Sequence, residues 1–246
     1  MRVFTYNIHK SKGFLGRPTT ITQLASRMSE RSPDLILCQE VFHGHDSRKA
    51  NQTAELADSL GFKSAYVANS TYRRGHHGNA TLTRFQVLHH EHVDLSTNVI
   101  ERRGVLYTVL QTENGPLHVF NTHLGLNRWQ RHKQIQRIIS LIQQQVPASE
   151  AVILAGDFND WTGHLDQWVQ NESRLSSALT HTTKESRRSF PSRTPLFGLD
   201  RIYYDGLQLI EANVLRSPTW HYLSDHLPLE ADFVSPLIRS DLKAEG

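Results

Sequence analysis

The chain has 246 residues, of which 38% are hydrophobic, and a formal net charge of +3. These totals allow a sizeable core, in one large α/β domain or two small ones, and the mild positive charge suits an anionic partner without requiring nucleic acid. The single cysteine, Cys38, excludes an intrachain disulfide and any metal site built from several thiolates.

The sequence has no recognisable secretory leader and no apolar run near the roughly 18–20 residues that a membrane span needs. No stretch has the composition of a linker. We therefore expect a single domain over residues 1–246, with a polar tail from about residue 236. We also expect a cytoplasmic protein without stable membrane insertion, and the sequence predicts no protein partner.

The first third of the chain predicts two strands and two helices. Residues 2–8 are rich in β-forming residues and predict a strand, and the apolar spacing after Pro18 predicts an amphipathic helix. The continuous apolar run in DLILCQE, residues 34–40, predicts a strand buried on both faces. Residues 51–60 predict a second helix.

The rest of the chain is richer in strands. They are predicted, in chain order, within residues 78–84, 85–95, 104–124, 151–157, 200–207, 209–217 and 226–234. Asn114-Gly115 lies between alternating runs and indicates a hairpin. Asn127 is predicted to cap a helix that runs to about residue 145, and Asp160 a shorter helix over residues 161–169.

A strand–helix–strand pattern occurs twice, with similar separations. Asn7 and Glu40 end the two strands of the first unit, whereas His123 and Asp157 end those of the second. In open α/β sheets, ligands bind at the carboxyl ends of the strands. Two such units facing each other would bring these four residues and Asn159 into one cleft.

Oxygen-bearing side chains follow the apolar strands. Glu40, Asp157 and Asp225 supply carboxylates, and Asn7 and Asn159 supply amides. Hard cations such as Mg²⁺ take oxygen ligands, typically one or two carboxylates together with water and substrate phosphate. The alternative for Asp157 and Asn159 is a turn that simply ends a buried strand, because both residue types are common in turns.

Histidines offer a second kind of site. His90 and His92 share one face of a predicted strand, but structural zinc needs four nitrogen or sulfur ligands, so a dedicated zinc site is not expected. An acid bonded to one imidazole nitrogen fixes the tautomer and raises the basicity of the ring, and Asp200 with His226 would form such a pair. His123 is a further candidate for proton transfer, with a structural histidine as the alternative.

Two cationic loops, residues 71–79 and 184–193, lead into candidate site residues. Basic side chains that precede such residues can hold an anionic substrate. Asn79 and Arg193 are therefore predicted to bind substrate, and a solvated loop is the alternative for each.

The ordered set of motifs is more specific than any one of them. TYNIHK, LCQE, GNATLTR, NTHLG, AGDFND, LDRIYY and SDHLPL occur in this order. Together they resemble the endonuclease/exonuclease/phosphatase superfamily of metal-dependent phosphoesterases, from residue 2 to about residue 233. The resemblance implies an α/β fold that is a four-layer sandwich, in which two mixed β-sheets pack face to face with helices on the outside.

The resemblance also implies a metal site and a water-activating residue. Glu40 resembles the main metal-binding carboxylate, Asn7 assists at the same site, and Asp225 lies beside it. The implied cofactor is Mg²⁺, or Mn²⁺. Asp157 resembles the residue that positions or deprotonates the attacking water, and Asn159 resembles the amide that contacts the phosphate.

The histidines take the remaining roles. His226 resembles the histidine that faces the scissile phosphate, with Asp200 as its orienting partner, and His123 resembles one that protonates the leaving group. Two positions depart from the pattern. His9 replaces the second Asn or Asp of many nucleases, and Asn79 replaces an acid that supports the second histidine in the deoxyribonuclease branch, so the group that orients His123 is not assigned.

The implied function is divalent-metal-dependent hydrolysis of phosphodiester bonds by in-line attack of an activated water, of a nuclease-like kind. The substrate is a phosphate ester, with nucleic acid as one candidate. A phosphoesterase for a phospholipid or small phosphorylated metabolite is the first alternative, and a non-catalytic phosphate-binding module is the second. The sequence does not specify the substrate, the number of metal ions, endo- or exo-action, or the oligomeric state.

Overall fold

A computed structural model describes residues 1–16, 19–45 and 51–234. Within these residues the chain forms two mixed sheets of six strands each. The strands are, in chain order, β1 Arg2–Asn7, β2 Leu35–Gly44, β3 Lys63–Tyr72, β4 Gly75–Thr83, β5 Gln86–Asp94, β6 Gly104–Thr112, β7 Gly115–His123, β8 Ala151–Asp157, β9 Ser176–Ser177, β10 Asp200–Asp205, β11 Gln208–Val214 and β12 Leu229–Val234. The first sheet has the order β11-β12-β1-β2-β4-β3 and the second the order β5-β6-β7-β8-β10-β9.

In the described part of the chain, four α-helices and three short 3-10 turns connect the strands. The helices are α1 Ile21–Ser29, α2 Gln52–Leu60, α3 Arg128–Gln145 and α4 His164–Glu172, and the 3-10 turns are His9–Ser11, Phe14–Gly16 and Trp220–Tyr222. Helices α1 and α3 begin with capping boxes, in which Thr20 and Asn127 each bond reciprocally with a glutamine three residues later. The local sequence therefore fixes where the two crossover helices begin.

The predicted strand–helix–strand repeat is confirmed by the strand pairing. Strand β1 runs parallel to β2, with Asn7 beside Gln39, and β7 runs parallel to β8, with His123 beside Asp157. Parallel neighbours must be joined by a crossover, which α1 and α3 provide. The carboxyl ends of β1, β7 and β8 consequently reach the same edge of the molecule. Glu40 lies there too, but inside β2 at a β-bulge and not at the end of the strand as the sequence predicted.

The two faces of β8 show how the layers are built. Ile153 and Ala155 pack into the core between the two sheets, whereas Val152 and Leu154 pack into the core beneath α3. Successive side chains of a strand point to opposite faces, so β8 must be covered on both sides. The fold is the four-layer α/β sandwich that the sequence implied, and Cys38 is fully buried in the hydrophobic core.

Buried side-chain amides join the two sheets just beneath the residues predicted to form the site. Gln39 Nε2 donates to Asn121 Oδ1 at 2.8 Å, and Asn121 Nδ2 donates to the carbonyl oxygens of Cys38 and Ala80. Asn79 Nδ2 donates in turn to the carbonyl oxygen of Asn121. Unpaired amides would be costly at this depth, so the network favours one spacing between the sheets.

Three elements differ from the sequence predictions. Helix α4 begins at His164 rather than Trp161, and Gly163 is its N-cap residue. Asp160 still serves the helix, because its carboxylate accepts a hydrogen bond from the backbone N–H of Leu165 at 2.9 Å. Residues 161–163, between Asp160 and the first residue of α4, form a turn that the sequence analysis did not predict.

Strands β3 and β9 were not predicted. Strand β3 is an edge strand that is partly exposed and rich in Asn, Ser and Thr, so its apolar alternation is weak. Residues 71–79, which were predicted as a loop, form the turn and flanking strands of the β3–β4 hairpin. Pro18 and the predicted polar tail from about residue 236 lie outside the described residues.

Gly156 is required by the close approach of β8 to β7. Its φ is +142°, and a Cβ atom would lie 1.9 Å from the carbonyl oxygen of Thr122. We expect Gly156→Ala to lower the free energy of unfolding by about 2–4 kcal/mol. Gly163→Ala is the control, because φ is +74° but a Cβ there meets open space, and it should cost about 1 kcal/mol. Equal losses in urea denaturation would contradict this explanation.

Candidate active site

A cleft of about 620 Å³ opens at the edge where the carboxyl ends of β1, β7 and β8 meet the bulge at Glu40 in β2. The structure places six of the predicted site residues in its lining: Asn7, Glu40, His123, Asp157, Asn159 and His226. The first two residues come from one sheet, and His123 and Asp157 come from the other. The pooling predicted from the internal repeat is therefore present.

Asp157 lies at the centre of this group. Its side chain is 2% exposed, and Oδ2 lies 3.0 Å from Asn7 Nδ2, 3.4 Å from His123 Nε2 and 3.6 Å from His226 Nε2. Burial raises the pKa of Asp157 to about 6, partly offset by the attraction of His226. Asp157 is thus a carboxylate whose pKa suits proton transfer near neutral pH.

His226 is held by the acid predicted to partner it. Asp200, which is fully buried at the start of β10, accepts from His226 Nδ1 at 2.9 Å and from Ser189 Oγ at 2.5 Å. Burial opposes protonation of the ring, but Asp200 and Asp157 outweigh it and raise the pKa of His226 to about 10. His226 is therefore a cation at neutral pH, with Nε2 directed toward the carboxylate of Asp157.

His123 has the opposite protonation state. Burial lowers its pKa well below the usual value, and the nearby positive charge of Arg103 lowers it further. A neutral imidazole beside Asp157 can accept a proton or donate one, depending on which nitrogen carries hydrogen. The two histidines that approach the same carboxylate are consequently not equivalent.

Asn159 follows Asp157 in a tight turn. Its φ is +48°, in the left-handed region, and its backbone N–H donates to Asp157 Oδ1 at 2.9 Å. One side-chain N–H donates to the carbonyl oxygen of Leu124 at 2.9 Å, which leaves the second N–H of the amide for another acceptor. Phe158 between them is fully buried in the core.

Glu40 carries a lysine on its carboxylate. Lys10 Nζ contacts Glu40 Oε2, and Asn7 Nδ2 lies 3.5 Å from Glu40 Oε1. Burial alone would raise the pKa of Glu40, but His123 and the ammonium of Lys10 hold it well below its usual range. Because the imidazole of His123 is neutral at its lowered pKa, the positive charge beside the Glu40 carboxylate is that of the Lys10 ammonium.

Asp225 is not among the residues that line the cleft, but it precedes His226, which does. Its Oδ1 is 3.4 Å from His9 Nδ1 and accepts a hydrogen bond from Ser224 Oγ at 3.2 Å. His9 follows Asn7 in the chain and donates its backbone N–H to Asn7 Oδ1 at 3.0 Å. His9, which stands where many nucleases have a second Asn or Asp, therefore contacts both Asn7 and Asp225.

The two predicted substrate-binding residues lie away from the cleft lining. Asn79 is fully buried, and its Nδ2 donates to the carbonyl oxygens of Gly104 and Asn121 at 3.1 and 3.0 Å. Arg193 is exposed, and its guanidinium stacks between the rings of Phe14 and Tyr222, 5.5 and 5.2 Å from their centroids. Contact with a substrate stays a prediction for both residues.

Several cleft residues escaped the sequence analysis. Basic residues Lys10, His77 and Arg103 line one part of the cleft, and Trp161 and Phe190 line another. Lys10 is the last residue of the motif TYNIHK, and His77 lies in the cationic loop over residues 71–79. These positions were the signal that could have identified both residues. Trp161 and Phe190 come from loops, and Phe190 also packs 4.9 Å from the ring of His226.

The donor chemistry fits a divalent cation at Glu40 better than elsewhere in the described part of the chain. Asp157, Asp200 and His226 offer ligand atoms within 4.8 Å of one another, which is close enough for a shared ion. However, His226 Nδ1 is already held by Asp200 at 2.9 Å, so an ion bound to that nitrogen would have to break this pair. Glu40 is an ionised carboxylate that lines the cleft, as a hard cation requires.

Comparison with known proteins identifies related chains. The model of the endonuclease/exonuclease/phosphatase family matches residues 4–226. The chain is 34% identical over 241 residues to the uncharacterized protein YbhP of Escherichia coli strain K12, with 94% of this chain and 95% of that protein covered.

Solved structures share the fold. The chain superposes on a functionally unknown conserved protein from Enterococcus faecalis V583 with a TM-score of 0.76 and 22% identity, covering 96% of this chain and 100% of that one. It also superposes on a mannosyl-6-phosphatase from Bacteroides thetaiotaomicron VPI-5482 with a TM-score of 0.73 and 17% identity, covering 95% and 99%. At these identities the likeness supports the architecture alone.

Among the described residues, no helix combines the length and the apolar character needed to cross a membrane. Members of the matched family are generally hydrolases of phosphoester bonds and typically depend on a divalent metal. The family model matches most of the chain, and YbhP is similar along nearly its whole length, so this chain belongs to the endonuclease/exonuclease/phosphatase family.

Proposed function

We propose that the protein is a divalent-metal-dependent phosphodiesterase of a nuclease-like kind. The observation that carries the proposal is the setting of Asp157, a buried carboxylate approached by Asn7, His123 and His226. A base, a cation and a neutral imidazole within a few ångströms are the groups that in-line attack of water on a phosphate ester requires.

Asp157 accepts the proton of the attacking water in this mechanism. Its pKa of about 6 leaves it ionised at neutral pH, and its bonds to Asn7 and to the backbone of Asn159 fix its direction. The free side-chain N–H of Asn159 and the protonated Nε2 of His226 donate to phosphoryl oxygens. His123, as a neutral imidazole, donates a hydrogen bond to the leaving oxygen as that oxygen develops negative charge, and the leaving group takes its proton from solvent.

A divalent cation, Mg²⁺ or Mn²⁺, would be held by Glu40 with Asn7 and Asp225 at its side, and would supply positive charge for the phosphoryl oxygens. Asp200 acts through His226, because it keeps the ring protonated and oriented. Water activation, phosphate binding and charge neutralisation are thereby assigned to different residues of the cleft.

The lining of the cleft supports a substrate that carries rings as well as phosphate. Lys10, Arg102 and Arg103 line the cleft together with Tyr72 and Trp161. Cationic side chains follow a phosphate backbone, and aromatic side chains stack on bases without strong sequence preference. This combination favours nucleic acid over a phospholipid or a small phosphorylated sugar, which are the alternative substrates.

Replacement of Asp157 by asparagine tests the proposed base. Asp157→Asn keeps the shape of the side chain and removes its basicity, so hydrolysis with Mg²⁺ or Mn²⁺ should fall by about 10²–10⁴-fold. The measurement is the rate on bis-p-nitrophenyl phosphate, p-nitrophenyl phosphate, plasmid DNA, RNA and phospholipid vesicles. Asp205→Asn is the matched control. Asp205 ends β10, at the opposite end of that strand from the site residue Asp200, and pairs with Arg174.

The same substrates separate the competing functions. The proposal expects DNA or RNA to be cleaved faster than phospholipid or p-nitrophenyl phosphate, with loss of activity in chelator. Preference for the monoester would favour a small-metabolite phosphatase. Tight phosphate binding without turnover on any substrate would favour the binding module, and full activity in Asp157→Asn would remove Asp157 from the mechanism.

The pH dependence of kcat/KM should show two limbs. Activity should be lost as the pH falls through about 6, because Asp157 becomes protonated, and lost again as it rises toward about 10, because His226 loses its charge. Asp200→Asn removes the charge that chiefly raises the pKa of His226, so the alkaline limb should move to lower pH. Asp205→Asn should leave both limbs in place, and an unmoved alkaline limb in Asp200→Asn would contradict the role of Asp200.

A further inference from the structure

Lys10 lies where the family resemblance places a metal ion. Its Nζ contacts Glu40 Oε2, and its side chain is 27% exposed beside a Glu40 side chain that is 17% exposed. Both residues line the cleft that contains Asp157. The positive charge nearest to the candidate metal carboxylate therefore belongs to the protein itself.

The backbone is bent to bring this lysine inward. His9, Lys10 and Ser11 have φ values of +47°, +57° and +56°, and Glu40 has a φ of +54°. None of these residues is glycine, and each costs roughly 1 kcal/mol or more in the left-handed region. A surface lysine needs no such backbone, as Lys12 shows by lying exposed with a φ of −100°.

A single carboxylate oxygen cannot serve an ammonium and a metal ion equally well. The half-buried setting of Glu40 gives the attraction of Lys10 more strength than an exposed ion pair would have. A cation that binds Glu40 through Oε2 must therefore displace Nζ. The displaced ammonium stays within the cleft, which Arg103 and His77 also line, and an ammonium released there next meets the phosphate of a substrate.

We infer that Lys10 is an exchangeable counter-ion of Glu40, which competes with the divalent cation and binds the substrate phosphate once the cation has displaced it. The inference rests on the proposed function, since it assumes that Glu40 holds the cation. It adds that the affinity for the cation is set below what the carboxylates alone would give. It also adds a substrate-binding residue that the sequence motifs did not identify.

The test compares Lys10→Met with wild type and with Lys12→Met, a matched change on the same loop outside the cleft. Binding of Mn²⁺ without substrate is measured by calorimetry or by electron paramagnetic resonance. Lys10→Met should bind Mn²⁺ more tightly by about fivefold to tenfold, the effect of one removed ion pair. Lys12→Met and the charge-conserving Lys10→Arg should bind Mn²⁺ with nearly wild-type affinity.

Two further readouts separate this role from a structural one. Without metal, Lys10→Met should melt at a lower temperature than wild type because Glu40 has lost its partner, and Mn²⁺ should raise its melting temperature by more. At saturating Mn²⁺, kcat/KM on bis-p-nitrophenyl phosphate should fall in Lys10→Met and recover in part in Lys10→Arg. Lys10→Gln replaces Lys10→Met if the latter does not fold.

The outcomes distinguish the inference from the proposed function. Mn²⁺ affinity in Lys10→Met that equals or falls below that of wild type overturns the counter-ion role. Undiminished kcat/KM at saturating Mn²⁺ overturns the substrate-binding role. If the wild-type protein hydrolyses phosphodiesters and binds Mn²⁺, either result removes the inference alone, whereas a wild-type protein that does neither overturns both the inference and the proposed function.

Discussion

The buried amide network between the sheets determines the geometry of the cleft. Gln39 precedes Glu40 in β2, and Asn121 precedes His123 by two residues in β7, so their hydrogen bond at 2.8 Å ties together the strands that carry both site residues. Removing one partner would leave a buried polar group unpaired, at a cost of about 1–3 kcal/mol. The spacing of Glu40 from Asp157 is therefore supported by side chains beneath the site, in addition to the hydrogen bond from Asn7 to Asp157 within it.

Above this network, the charges of the cleft divide into two groups that meet at Asn7. On one side, the carboxylates of Asp157 and Asp200 share the positive charge of His226. On the other side, Glu40 is neutralised by Lys10, and Asn7 Nδ2 reaches both Asp157 and Glu40. The first group consists of buried side chains, and His226 is held in it by a hydrogen bond of 2.9 Å to Asp200. The second group, Glu40 with Lys10, lines the cleft, so a divalent cation could take the place of the Lys10 ammonium. The two groups therefore differ in how well they fit a metal ion.

The sequence predicts those parts of the site that follow from strand order. Asp157 and His123 lie side by side because parallel strands place their carboxyl ends together, and this pairing needs only the apolar runs and their order. Asp200, at the start of β10, and His226, just before β12, pair between the two sheets although 26 residues separate them. The start of α4 and the edge strand β3 were missed for a different reason, since Asp160 reaches its helix across a turn and β3 is half-exposed.

Lys10 could not be predicted, because its place depends on a backbone conformation that its residue type disfavours. Asn159 also has a positive φ, but asparagine tolerates the left-handed region far better than lysine or glutamate do. Such residues persist only where surrounding contacts over-determine them, and here those contacts are the ends of β1 and β2, which are held in parallel register. The turn that brings Lys10 to Glu40 follows directly on the end of β1 and is held by local hydrogen bonds, including that from the backbone N–H of His9 to Asn7 Oδ1.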